Sequence, residues 1–196
     1  MDVKKTTIVM VMLLLFGSFS SKAQNLDVFL NKADAFFKVY VFEGKVDYHR
    51  IKIDQTVLND VLKIAKGIDL EKENAANYQA FWINAYNLAV IKGITDSYPI
   101  QSPLDVVGFF DESTYQLAGK SLTLNTIENQ ELRSRFKDAR FHFVLVCGAM
   151  GCPPLISAAY LPSTLESQLE LQTRKALNGS FLKVDTKKKK WKVHKY

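Results

Sequence analysis

The stretch from about Asn74 to Lys92 carries Phe81, Trp82, Ile83, Ala85, Tyr86, Leu88, Ala89, Val90 and Ile91, so a helix written on it is apolar almost all the way round. Such a helix cannot lie on a surface, and the pattern predicts a central element wrapped by the rest of the chain. Asn84 and Asn87 stand within that greasy surface, three residues apart and therefore neighbours on one face. A buried amide without partners costs about 1–3 kcal/mol, so these two either knit the packing together or meet a substrate. Both readings stand on the sequence alone.

The flanking segments supply the wrapping. Leu26, Phe29, Leu30, Ala33, Phe36, Phe37 and Tyr40 recur at helical spacing and predict an amphipathic helix ending near Glu43-Gly44. Val46-Asp47-Tyr48 reads as short and extended, and Val57 to Ala65 reads as a second helix with Gly67 at its carboxyl-terminal cap. Ser102 and Pro103 predict a capped turn, and Tyr115 to Leu117 with Ser121 to Leu124 predict a hairpin about Ala118-Gly119-Lys120. Asn125 then reads as the cap of a short helix, with Glu128 closing a capping box; Ser163 and Glu166 repeat that pattern before a helix to about Asn178. Leu182 to Val184 and Trp191 to Val193 read as a last hairpin about a lysine run that solvates its tip. The expected class is α+β, a mostly helical single domain packed on a small antiparallel sheet.

The unusual chemistry is concentrated in Phe141 to Pro154. Alternation predicts a central strand, with Phe141, Phe143, Leu145 and Cys147 on one face and His142, Val144 and Val146 on the other. Gly148, Gly151, Pro153 and Pro154 then predict a sharp turn. Both cysteines of the protein flank that turn, and one of its three histidines lies on the segment leading in.

At the amino terminus Lys4 and Lys5 precede the apolar run Ile8 to Phe16, and Ser21 and Ala23 sit where a signal peptidase wants small residues. Residues 1–23 are expected to be a cleavable signal peptide and 24–196 a single globular domain, exported to a periplasmic or extracellular location. The apolar run is shorter than the roughly 20 residues that span a bilayer, so no transmembrane anchor is expected once the signal is cut. The net charge of +6 comes from the ends, since residues 1–23 carry +2 and 181–196 carry +6, leaving 24–180 at −2. A body that is nearly neutral, with no basic stripe, argues against a nucleic-acid partner.

Cys147 and Cys152, with four intervening residues, admit three readings: a structural disulfide, a nucleophilic thiol, or redox exchange or metal binding. A thiol nucleophile wants a base within reach, and on a strand His142 would stand roughly 16 Å from Cys147 on the opposite face. Glu128 has a structural explanation as a capping residue beside a possible part in catalysis. Arg133 could bind an anionic group or pair with a carboxylate. No pattern for a cofactor or a metal is present.

Several segments together carry a resemblance. Val46-Asp47-Tyr48, Phe81 to Asn87, the hairpin leading into Ile127 to Arg133, and Phe141 to Ala149 with Cys152-Pro153-Pro154-Leu155 are similar, in order, to the domain of unknown function 547 family. The likeness runs from about Val46 to Asn178. The family pattern usually has a histidine directly after the glutamate of the helix that follows the hairpin, and here that place holds Asn129. The family's domains also tend to continue with a short aromatic helix, whereas this chain ends at Tyr196, which reads as a shortened carboxyl terminus. The resemblance implies a fold and a residue set and no reaction.

The candidate site is therefore Cys147, Cys152, His142 and Glu128 for chemistry, with Asn84, Asn87 and Arg133 for binding. The favoured expectation is a non-catalytic extracytoplasmic binding module for a small molecule, a peptide or a cell-envelope component. The alternative is a thiol-dependent hydrolase or acyltransferase, with a cysteine nucleophile, a histidine base, and Asn or backbone amides holding the oxyanion.

Overall fold

The structure, a computed structural model, describes residues 25–70, 74–149, 152–179, 182–185 and 190–193. The expected signal peptide lies outside them. In chain order come helix α1 (25–40), strands β1 (Val41–Phe42) and β2 (Lys45–Val46), and helices α2 (Tyr48–Ile53), α3 (Thr56–Lys66) and α4 (Ala75–Ser97). A 3-10 turn (Pro103–Asp105) leads to β3 (Thr114–Leu117) and β4 (Lys120–Thr123). Three helical pieces then run on without a break: α5 (Leu124–Thr126), a π segment (Ile127–Arg133) and α6 (Ser134–Phe136). A second 3-10 turn (Ala139–Phe143), helix α7 (Leu165–Asn178) and the strands β5 (Leu182–Asp185) and β6 (Lys190–Val193) follow.

The class is α+β and mostly helical, and among the described residues the strands form three antiparallel two-stranded hairpins. α4 is the axis. Asn74 caps it by accepting from the Asn77 N–H at 3.1 Å, and every residue from Ala80 to Ile91 is buried. α1 buries Phe29, Phe36 and Phe37 in the same core and meets the axis at Phe29, whose ring lies 5.0 Å from that of Phe81. Each large side chain removed from water contributes about 1.5–3 kcal/mol, and one contiguous core joins α1, α3, α4, the π segment and α7.

Polar contacts fix how the hairpins dock on the helices. The turn of the β3–β4 hairpin caps α3, donating Ala118 N–H to Ala65 O and Gly119 N–H to Lys66 O, each at 2.9 Å. Tyr78 on α4 donates its hydroxyl to Glu131, which also receives Lys120 Nζ at 2.5 Å, so one carboxylate joins α4, β4 and the π segment. Burial and that carboxylate push the Tyr78 phenol up to about 12.

The structure corrects several local expectations. Phe141 to Cys147 form no strand: Asp138 caps the 3-10 turn over Ala139–Phe143 by accepting from Arg140 N–H at 2.9 Å, and Val144 to Cys147 follow as irregular chain. Tyr48 is helical rather than extended, because Asp47 caps α2 through Arg50 N–H at 3.0 Å. The cap of α5 is Thr123, which accepts from Thr126 N–H at 3.1 Å, so Glu128 closes no capping box. Thr164, without a side-chain cap bond, precedes α7, and Glu166 instead pairs with Arg140 at 2.9 Å.

Candidate functional site

The two buried asparagines determine where the site lies. Asn84 donates Nδ2 to Tyr160 O at 2.8 Å and accepts from Tyr160 N–H at 3.0 Å, while Nδ2 also reaches Ala80 O at 2.8 Å. Asn87 donates to Val144 O at 2.9 Å and accepts from Val146 N–H at 3.0 Å. Each amide thus takes the place of a neighbouring strand for one loop, satisfying backbone groups that would otherwise be orphaned in the core. Both side chains are buried and hold loop backbone in this way, and neither lines the two recesses formed by the loop beyond them.

Beyond the Asn87 clamp the chain bends through Gly148, and Cys147 and Cys152 are joined by a disulfide with their Cα atoms 6.1 Å apart. Cys152 N–H donates to Ala149 O at 3.0 Å and tightens the loop. This loop is a wall between two recesses. Cys147 and Ala149 face a cavity of about 380 Å³, and Cys152, Gly148 and Ala149 border a second of about 430 Å³ against Lys45, Val46 and Tyr48.

The first cavity gathers Glu128, His142 and Cys147. Its apolar wall comes from Tyr86 of α4, Pro103 and Leu104 of the first 3-10 turn, Phe110 and Leu145. A strand would have kept His142 and Cys147 apart. The 3-10 turn, rising about 2.0 Å per residue in place of about 3.3 Å, gathers the segment and turns both side chains to one recess. Burial and the neighbouring Arg133 guanidinium push the His142 pKa below its ordinary value, against an opposing pull from the Glu128 carboxylate. The recess therefore favours the neutral form of the imidazole.

Glu128 and Arg133 are five residues apart, a spacing that does not bring side chains together on an ordinary helix. In the π segment residues i and i+5 stand in line, as the Ser134 N–H to Asn129 O bond shows, and Arg133 Nε reaches Glu128 Oε1 at 2.7 Å. The polar end of the cavity therefore holds a carboxylate already paired with a guanidinium, beside a neutral imidazole. Asn129 is exposed, bonds Asn125 O at 3.0 Å and does not line the cavity.

The family model for proteins of unknown function DUF547 matches residues 70–176, more than half of the chain. The chain belongs to that family. The DUF547 match spans α4, the β3–β4 hairpin, the π segment, the disulfide loop and most of α7, and so contains every wall of the first cavity. Comparisons with curated proteins and with solved structures give no match.

Of the residues singled out in the sequence, Glu128, His142 and Cys147 come together in one recess, Arg133 pairs with Glu128 without lining it, and Cys152 borders the second recess. Tyr86, Leu104, Phe110 and Leu145 were not legible as site residues, since each reads as ordinary core or loop. The signal for Tyr86 was its place beside Asn87, and for Leu104 a large apolar residue next to a capped turn. Among the described residues no cluster of three or more His, Cys, Asp or Glu could hold a metal ion, and no helix is long and apolar enough to cross a membrane.

Proposed function

We propose that the domain is a non-catalytic extracytoplasmic module that binds a small ligand in the first cavity. The supporting observation is the combination within that recess: hydrogen-bonding groups at Glu128 and His142, an apolar wall, and a sulfur at Cys147 already consumed by its bond to Cys152. The cavity's volume lies within the roughly 300–1,000 Å³ of typical ligand sites. A neutral imidazole and a paired carboxylate orient a ligand, and an oxidised sulfur cannot attack it. Export fits the disulfide, which persists in oxidising surroundings.

Binding is tested by following backbone amide NMR signals while adding indole, cyclohexanol, benzylamine or benzoate. At least one probe is expected to shift the amides of Glu128, His142, Leu145 and Ala149, and Ala149→Trp, which fills the recess, to abolish the shifts. No movement at those amides with any of the four would end the binding reading.

A thiol-dependent hydrolase is the second reading, favoured by the single fact that Cys147, His142 and Glu128 share a recess. Alkylating the native exported protein with iodoacetamide and weighing it separates the two. Two labels only after reduction support the binding module, while one label without reductant supports a working thiol. In that case Cys147→Ser abolishes hydrolysis, Cys147 being the sulfur beside His142.

A further inference from the structure

We propose that the ligand of the first cavity is an uncharged amphiphile, with an aliphatic or aryl body and a hydroxyl or amide head; this rests on the binding reading above. The first observation is the lip. Leu104 and Phe110 line the cavity, yet Leu104 is 66% exposed, and Val107, between them in the same loop, is 90% exposed. The apolar wall does not end at the mouth. It runs outward onto residues that any small ligand confined to the recess would leave in water, so a longer apolar body covers more surface than a short one.

The second observation is the balance of charge at the inner end. Glu128 is the one formally charged side chain lining the recess among the described residues, and its carboxylate is paired with Arg133 at 2.7 Å. The neutral form of the His142 ring carries one donor and one acceptor, and Ser102 lines the same recess. A cationic head gains Glu128 but is repelled by Arg133; an anionic head meets the reverse. Either brings an unbalanced charge into an apolar recess, whereas a hydroxyl or amide head donates to the carboxylate and accepts from the imidazole at no such cost.

The test is a titration at pH 7.5 with N-alkylacetamides of four, six, eight and ten alkyl carbons, below their aggregation concentrations, with the matching alkylamines and alkylcarboxylates. Affinity for the acetamides is expected to rise about fourfold per methylene, from about 0.8 kcal/mol for each buried CH₂, until the chain has crossed the lip. Each charged series is expected to bind at least about tenfold more weakly, which is about 1.4 kcal/mol. Val107→Asp, at a 90% exposed position that does not line the recess, should leave the four-carbon compound unchanged and flatten the gain for longer ones.

Shifts at the cavity amides that are indifferent to chain length, or a charged series that binds as well as the acetamides, would overturn the ligand class and leave the binding module standing. Absence of any shift with any compound would overturn both. Association with phosphatidylcholine vesicles without binding of the soluble compounds would also overturn the proposal, since the lip would then be a membrane contact.

Discussion

Asn87 Oδ1 accepts the backbone N–H of Val146 at 3.0 Å, while the same side chain's Nδ2 donates to the carbonyl two residues earlier. One amide on the central helix thereby holds the irregular stretch of chain that runs into the disulfide loop. The wall of the cavity is only as fixed as this clamp.

Replacing Asn87 with Leu orphans a buried N–H and a buried carbonyl at once. With about 1–3 kcal/mol for each, the expected loss is about 2–5 kcal/mol in urea unfolding, and Asn84→Leu should cost a comparable amount by releasing Tyr160. A loss below about 0.5 kcal/mol would show that the clamp is dispensable.

The disulfide closes a short loop, so its entropic contribution is small. Cys147→Ser with Cys152→Ser should lower stability by about 2 kcal/mol at 25 °C without changing the slope of unfolding against denaturant. The measurement is equilibrium unfolding of the double variant against the oxidised parent.

His142 ties stability to pH. Its folded pKa lies below the unfolded value, so the unfolded chain binds the proton more readily, and stability rises with pH across this interval. Stability is at its full value above about pH 6.5, the ordinary imidazole pKa, and is lost as the pH falls from there through the lower folded value. Unfolding curves of the parent and His142→Gln between pH 4.5 and 8 should diverge in that direction; parallel curves would remove His142 as the cause.

Gly148 and Gly119 form a controlled pair. Both have positive φ, +75° and +71°, but a methyl on Gly119 meets nothing within 4 Å, whereas one on Gly148 runs into Ile94 and lies 3.2 Å from the Pro103 ring. Gly119→Ala should show only the backbone penalty of about 1 kcal/mol, and Gly148→Ala about 1–3 kcal/mol more, read as the difference in unfolding free energy.

What the sequence made legible depended on how many physical signals agreed. The central helix carried an all-round apolar pattern from about Asn74 to Lys92, and it forms there, running on past Gly93 to Ser97. Gly93 is a place where the Tyr115 hydroxyl and the Phe109 ring pack close to the helix backbone. The alternating run from Phe141 misled because period-two burial also suits an irregular segment whose backbone is satisfied by a side chain. Asn87 supplies what a neighbouring strand would have supplied, and no local pattern encodes that contact across 59 residues. The pairing of Glu128 with Arg133 was hidden for another reason: helical-wheel reasoning assumes 3.6 residues per turn, and this segment is wound more loosely.

The loose winding has a consequence for length variation in this part of the chain. Removing one residue between Glu128 and Arg133 would let the ladder tighten into an ordinary helix in which the two stand four apart, the spacing that keeps a glutamate and a following arginine neighbours on one face. The recess would keep its counterion. Loss of either charged side chain is therefore a greater hazard to the lining than a single-codon deletion, because only the former leaves a charge uncompensated.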